Sequence, residues 1–257
     1  MSKIENAFAH GKAFIGFLTA GDPSLEKTKE FILSMASAGA DLIEIGIPFS
    51  DPIAEGEVIQ RANIRALSVG TTLDKIFKMV RAVRLSTQVP LVFLTYLNPI
   101  FTYGYDHFFR ECSSSGIDGV IIPDIPFEEK GELLPFSEKY GIDIISLIAP
   151  TSRERISKIA SCAKGFVYCV SSMGVTGVRS EIQTDLPSIL ATVKSVTDVP
   201  TAIGFGISTP KQASEISVSA DGIIVGSALV QIIEAHGNNA AKPLYEYVQA
   251  MKQAIGS

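Results

Sequence analysis

The chain is poor in the residues that most often bind metals or cross-link a fold. Its three cysteines, Cys112, Cys162 and Cys169, form no CxxC pair, and an odd number of unpatterned thiols fits a reduced cytosolic protein rather than a disulfide scaffold. The three histidines, His10, His107 and His236, are scattered without metal-ligand spacing, so neither a zinc site nor a histidine-based triad is expected. There is no Lys/Arg-rich run, and 22 basic against 27 acidic residues give a net charge of −5, a poor balance for binding nucleic acid. No apolar stretch approaches the length of a membrane span. The start, Met1 to Phe8, has neither the basic end and apolar stretch of a secretory signal nor the Arg-rich look of a transit peptide. A cytoplasmic protein with no metal, nucleic-acid or membrane partner is expected.

What is abundant is apolar side chain. Hydrophobic residues make up 46% of the chain and charged ones 19%, with mean hydropathy +0.29, a balance that suits a parallel sheet covered on both faces. About eight β-rich runs alternate with helical stretches, the number that closes an α/β barrel. They lie near Phe14 to Thr19, Leu42 to Ile47, Leu91 to Tyr96, Gly119 to Asp124, Ile144 to Ala149, Phe166 to Ser171, Thr201 to Phe205 and Gly222 to Val225. Between them the apolar period becomes helical, as in Ile76, Met79, Val80 and Val83. Four strand entries share a pattern: Gly39-Ala40-Asp41, Gly116-Ile117-Asp118, Gly141-Ile142-Asp143 and Ser219-Ala220-Asp221. A glycine that ends a helix and an aspartate before the next apolar run punctuate the chain as βα units. An open doubly wound sheet competes, but Ala20-Gly21-Asp22-Pro23 after the first run lacks its glycine fingerprint. With no linker or shift of composition, residues 1–257 are expected to form one (β/α)8 TIM-barrel domain.

One acid interrupts this apolar pattern. In Leu42-Ile43-Glu44-Ile45-Gly46, strand alternation sets Glu44 on the face of Leu42 and Gly46, opposite Ile43 and Ile45. An unpaired carboxylate there holds its proton more tightly than a free glutamate, which suits a group that must both give and take protons; the bland alternative is a glutamate held by a buried partner. Two connections are longer than a barrel needs: Pro48 to Gly56, and Ser172 to Asp185, which reads as a lid or as an ordinary surface loop. Runs seven and eight end in Gly204-Phe205-Gly206-Ile207-Ser208 and Gly226-Ser227-Ala228, where barrels often bind phosphate through backbone N–H groups and a helix start. The same residues also read as plain helix caps, Ser208 or Thr209 with Pro210 for one helix and Gly226-Ser227 for the last one.

These motifs, with Phe17-Leu18-Thr19-Ala20-Gly21-Asp22-Pro23, Glu44 to Pro52, Pro123-Asp124-Ile125-Pro126 and Gly174-Val175-Thr176-Gly177, resemble the tryptophan synthase α-chain family along the whole chain. The resemblance implies a lyase that splits indole-3-glycerol phosphate into indole and glyceraldehyde 3-phosphate. It also implies a β-chain partner in an α2β2 assembly, with pyridoxal phosphate in the β chain and no cofactor in this one. Position by position it makes Glu44 the proton-transfer residue and Tyr168 an active-site tyrosine. Phe17, Tyr96, Ile148 and Phe205 would surround the indole or the reacting chain, Gly177, Gly206, Gly226 and Ser227 would contact phosphate, and Thr176 would close a lid. Ser50-Asp51-Pro52 and Asn98-Pro99-Ile100-Phe101 match regions used against the β chain. One departure stands out: Glu55-Gly56-Glu57 replaces the family's aspartate, glycine and proline, so the acid expected to meet the indole N–H reaches one methylene further. Glu55 and Glu57 could instead simply favour the start of a helix over Val58 to Leu67. Two rivals follow: a weakened subunit that mainly activates a β chain, and an isomerase on the same phosphate-binding barrel.

Overall fold

The computed structural model describes residues 3–149, 155–170, 186–204 and 206–256. Nine strands are found there: β1 Ala13–Thr19, β2 Leu42–Gly46, β3 Leu91–Leu94, β4 Gly119–Ile121, β5 Asp143–Ile144, β6 Ser146–Ile148, β7 Val167–Val170, β8 Thr201–Gly204 and β9 Gly222–Val225. Around them lie α1 Lys3–Asn6, α2 Leu25–Ser37, α3 Glu57–Ser68, α4 Leu73–Arg84, α5 Leu97–Tyr103, α6 Tyr105–Ser115, α7 Leu134–Tyr140, α8 Ile156–Ser161, α9 Leu186–Lys194, α10 Pro210–Ser217, α11 Ser227–His236 and α12 Ala241–Ile255. Every strand pairing is parallel, in the order β5-β4-β3-β2-β1-β9-β8-β7-β6. Since β5 and β6 are consecutive pieces of one run, the two ends of this order meet at Ile145 and the sheet forms a nearly closed barrel. None of the described helices is long and apolar enough to cross a membrane.

The fifth apolar run is therefore split, where the sequence suggests one strand. Its N-terminal half pairs with β4 and its C-terminal half with β7. Lys130, from the short 3-10 turn before α7, reaches the break and donates to the Ile144 carbonyl at 2.9 Å and to Ser146 Oγ at 3.2 Å. That bond satisfies a backbone acceptor at the discontinuity. Burial holds the lysine ammonium down at about 8.

Strand alternation sorts the core into two layers. Phe14, Leu18, Ile43, Ile45, Phe93, Val167, Cys169 and Ile203 point outward and pack against the helices. Ile15, Leu42, Val92, Ile121, Phe166, Tyr168, Ala202 and Ile224 fill the interior. At the N-terminal end the interior is plugged by Ile4 of α1, which packs with this inner layer, and by Phe8. Glycines make room for the plug: a Cβ on Gly119 would lie 2.8 Å from Ile4, and one on Gly222 would lie 2.9 Å from Phe8.

The recurrent aspartate at the strand entries has a physical explanation at this same base. Asp41 accepts from the Phe14 amide, Asp118 from the Leu91 amide and Asp221 from the Thr201 amide, while each aspartate amide donates back to the carbonyl of that same residue. A helix supplies a cation in each case: Lys252 of α12 to Asp41 at 2.6 Å, Arg84 of α4 to Asp118 at 2.6 Å, and Lys194 of α9 to Asp221 at 3.4 Å. The motif thus ties each strand start to its neighbour and to the helical ring. Gly39, Gly116 and Gly141, with φ of 101°, 90° and 67°, make the preceding left-handed turns.

Candidate active site

Glu44 lies in the middle of β2, 1% exposed, with Phe17 of β1 and Val92 of β3 as its register partners on the inner face. Its Oε1 has no hydrogen-bond partner among the described residues. Burial, with no compensating cation among the described residues, pushes its pKa up to about 8, so the carboxyl is held largely neutral at pH 7. Tyr168 enters the same interior from β7 and feels the Glu44 charge; burial first, and then that charge, push its phenol well above the usual tyrosine range. Gly204 on the adjacent strand β8, two residues beyond Tyr168's register partner Ala202, is the reason the ring fits, because a Cβ there would stand 2.3 Å from the Tyr168 hydroxyl. Gly46 serves Phe17 likewise, a Cβ there falling 2.6 Å from the ring.

The second acid sits where the β2–α3 connection enters its helix. Glu55 is 6% exposed, and its Oε2 accepts from Asn63 Nδ2 of α3 at 2.6 Å. Burial raises its pKa to about 7, with hydrogen bonds from Asn63 and Tyr96 opposing the rise. Tyr96, the residue before α5, also accepts from the Ala54 amide at 3.1 Å and packs on Phe49 at 5.3 Å between ring centroids. Tyr96 therefore lies beside Glu55, bound to the residue before it. It also separates the two acids that flank Gly56: Glu57 is exposed in the first turn of α3, where the helix dipole favours it, while Glu55 is turned into the protein. Phe17 connects the parts, packing with Ile59 and Ala62 of α3 and Val230 of α11.

Ile148 departs from the sequence expectation. Its register partner is Cys169, and it packs in the layer between strands and helices, whereas Leu147 is level with Tyr168 and packs against the inner layer. The alternation of β6 thus puts Leu147, not Ile148, on the side of Glu44.

The two glycine turns at the mouth differ. The start of α10 satisfies itself: Thr209 Oγ1 accepts from the Gln212 amide, and Gln212 Oε1 accepts from the Ser208 and Thr209 amides, a full capping box with Pro210 following Thr209. The start of α11 has no side-chain cap among the described residues; Gly226 and Ser227 there are half-buried, and Gly206, with φ of 84°, makes the turn after β8. Free N–H groups at a helix start favour an anion, so the phosphate reading falls on Gly226 and Ser227 with Gly206 rather than on α10. Helix α11 is also not the last one, since α12 follows it. Thr176, Gly177 and Phe205, and the connection from Ser172 to Asp185, lie outside the described residues. Asn63 was not among the expected site residues, although a lone polar side chain in the inward stripe Ile59, Ala62, Asn63, Ala66 is a visible signal.

Known proteins of similar sequence and fold identify the family. Residues 5–256 match the family described as "Tryptophan synthase alpha chain". The chain is 47% identical to the tryptophan synthase alpha chain of Lacticaseibacillus casei over 99% of its own length and 96% of the relative's. It is 49% identical to that of Thermoanaerobacter sp. (strain X514), covering 95% and 94% of the two chains. Among solved structures, a chain of Mycobacterium tuberculosis tryptophan synthase superposes with a TM-score of 0.90 at 33% identity, covering 99% of this chain and 98% of that one. The alpha chain from Legionella pneumophila subsp. pneumophila gives 0.86 at 35% identity, covering 100% and 98%. The chain belongs to the tryptophan synthase α-chain family, lyases of tryptophan biosynthesis.

Proposed function

We propose that the chain performs the retro-aldol cleavage of indole-3-glycerol phosphate to indole and glyceraldehyde 3-phosphate, with Glu44 moving the protons. The observation that carries this reading is the buried Glu44 carboxyl, neutral near pH 7 and with one oxygen unpaired among the described residues. As an acid it protonates C3 of the indole ring, turning the ring into an iminium that can accept electrons. As the resulting carboxylate it takes the proton from the hydroxyl on the carbon attached to C3. The bond from C3 to that carbon then breaks; its electron pair returns to the ring, restoring indole, and the hydroxyl carbon becomes the aldehyde. Proton transfer of this kind is typically worth about 100-fold to 10,000-fold in rate.

Glu55, in its ionised form, accepts a hydrogen bond from the indole N–H and balances the positive charge that grows there. Its titration at about 7 makes that form available near neutral pH. Tyr168 and Phe17 pack against the substrate, and Tyr96 holds Glu55. Gly206, Gly226 and Ser227 hold the phosphate by backbone N–H groups and the start of α11; the family resemblance adds Gly177 as a phosphate contact and Thr176 and Phe205 as substrate contacts.

The chain acts with a β chain in an α2β2 assembly in the cytoplasm, and pyridoxal phosphate belongs to the β chain. Phe101, 66% exposed, is a large apolar side chain within one of the two segments matched to that interface, and Ile53, 72% exposed, directly follows the other; both support it. The test is indole release from indole-3-glycerol phosphate, with and without a β chain, beside an assay of phosphoribosyl anthranilate isomerisation. Indole release that a β chain accelerates is the expected result. Isomerisation without indole release would overturn the reading.

A further inference from the structure

We propose that Asn63 is a positioning residue for the cleavage, clamping Oε2 of Glu55 so that the other oxygen of this longer side chain faces the indole nitrogen. The proposal rests on the reading of Glu55 as the group that meets the ring N–H. Residue 55 is held by α3 at both ends: Asn63 Nδ2 donates to the carboxyl at 2.6 Å, and Gln60 Nε2 donates to the residue's backbone carbonyl at 2.8 Å. Asn63 is 3% exposed and is the one polar member of the helix's buried stripe. A buried amide needs a partner, and a carboxylate is the strongest acceptor it can find.

The mount itself is stiff. Ile59 and Ala62, beside Asn63, pack on Phe17 and Val230, while Arg61 and Arg65 bind Glu234 of α11 at 2.8 and 2.9 Å and Arg65 binds buried Asp22 at 2.8 Å. Glutamate adds one rotatable bond to the reach of an aspartate. Left free, that bond would spread the carboxyl over positions about 1 Å apart, an error that can cost on the order of 100-fold in rate. Fixing Oε2 from α3 removes that freedom.

The experiment compares kcat and KM for indole-3-glycerol phosphate in the full chain with Asn63→Ala, Asn63→Asp, Glu55→Gln and the double variant Asn63→Ala/Glu55→Gln, each checked by thermal unfolding. Asn63→Ala is expected to lower kcat about 10-fold to 100-fold with KM within about threefold, and to add less than about twofold once Glu55 is glutamine. Asn63→Asp keeps the shape but sets a like charge against the carboxyl, so its kcat should fall at least as far; it carries the test if the alanine variant does not fold. Equal losses from Asn63→Ala in both backgrounds, or unchanged kcat in Asn63→Asp while Glu55→Gln is impaired, would overturn the positioning role and leave Glu55 in place. Full turnover in Glu55→Gln would instead remove the reading beneath it, and the proposal with it.

Discussion

At the base of the barrel Asp41, Asp118 and Asp221 each accept a strand amide and face a lysine or arginine from the surrounding helices. At the mouth, among the described residues, Glu44 is buried with an unpaired oxygen and Glu55 is buried beside the neutral groups of Asn63 and Tyr96. The same functional group is thus used in two ways. Burial raises the Asp221 pKa, yet the hydrogen bonds from Thr201 and the charge of Lys194 leave it lower than usual, so the base carboxylate stays charged and contributes to holding the strands together. Among the described residues the mouth carboxyls meet no such cation, burial raises their pKa values to about 8 and about 7, and they are left able to exchange protons. Barrels commonly separate stability and chemistry between their two ends in this way.

The sharpest way to break the comparison is Glu44→Gln. Turnover should fall about 100-fold to 10,000-fold, with KM changed far less. Stability should move the other way. The unfolded chain releases the Glu44 proton above its ordinary value of 4.5, whereas the folded chain holds it up to about 8, so every step of pH between these values favours unfolding of the parent protein. Urea unfolding should therefore show the glutamine variant gaining on the parent as pH rises from 4.5 to about 8, by up to a few kcal/mol. A variant that is inactive but no more stable at pH 8 would break the link between burial and chemistry.

The matching change at the base is Asp118→Ala. It leaves Arg84 largely buried without its carboxylate and the Leu91 amide without its acceptor, so denaturant unfolding should show a loss of about 3 kcal/mol. Turnover per folded molecule should stay within about twofold, because the site lies at the other end of the barrel. A collapse of kcat in the folded fraction would contradict the division of labour.

Smaller effects sharpen the picture. If Glu55 works ionised and Glu44 works protonated, kcat/KM should rise through about 7 and fall through about 8, and Glu55→Gln should remove the rise on the acid side. Smallest of all is Thr209→Ala, which deletes the cap of α10 and should cost about 1 kcal/mol of stability. Inorganic phosphate should bind that variant as before, since the uncapped helix start is that of α11.

Much of this division was legible in the residues. Strict alternation placed Glu44 inside, the glycine and aspartate repeat marked the strand entries, and the helix expected over Val58 to Leu67 is observed as Glu57–Ser68. The break of the fifth strand was not, because Ile144-Ile145-Ser146-Leu147-Ile148 is continuously apolar apart from one serine and the donor that fills the gap, Lys130, comes from a distant turn. Ile148 is a site residue by likeness of position alone, whereas the observed register, Leu147 beside Tyr168, sends it outward. The capping box of α10 is written in Thr209-Pro210-Lys211-Gln212, and only its recognition separates two glycine turns that otherwise read alike. The role of Asn63 depends on Glu55, eight positions earlier, folding back over the helix start, a contact that no local pattern specifies.

The most direct test of the account is to titrate the Glu44 carboxyl itself, by NMR of protein labelled with carbon-13 at the glutamate side chains and with the resonance assigned by its loss in Glu44→Gln. A carboxyl that keeps its proton to about pH 8 is the predicted result. Titration near 4.5, the value of an ordinary glutamate, would contradict the claim that burial at the barrel mouth prepares this acid for proton transfer.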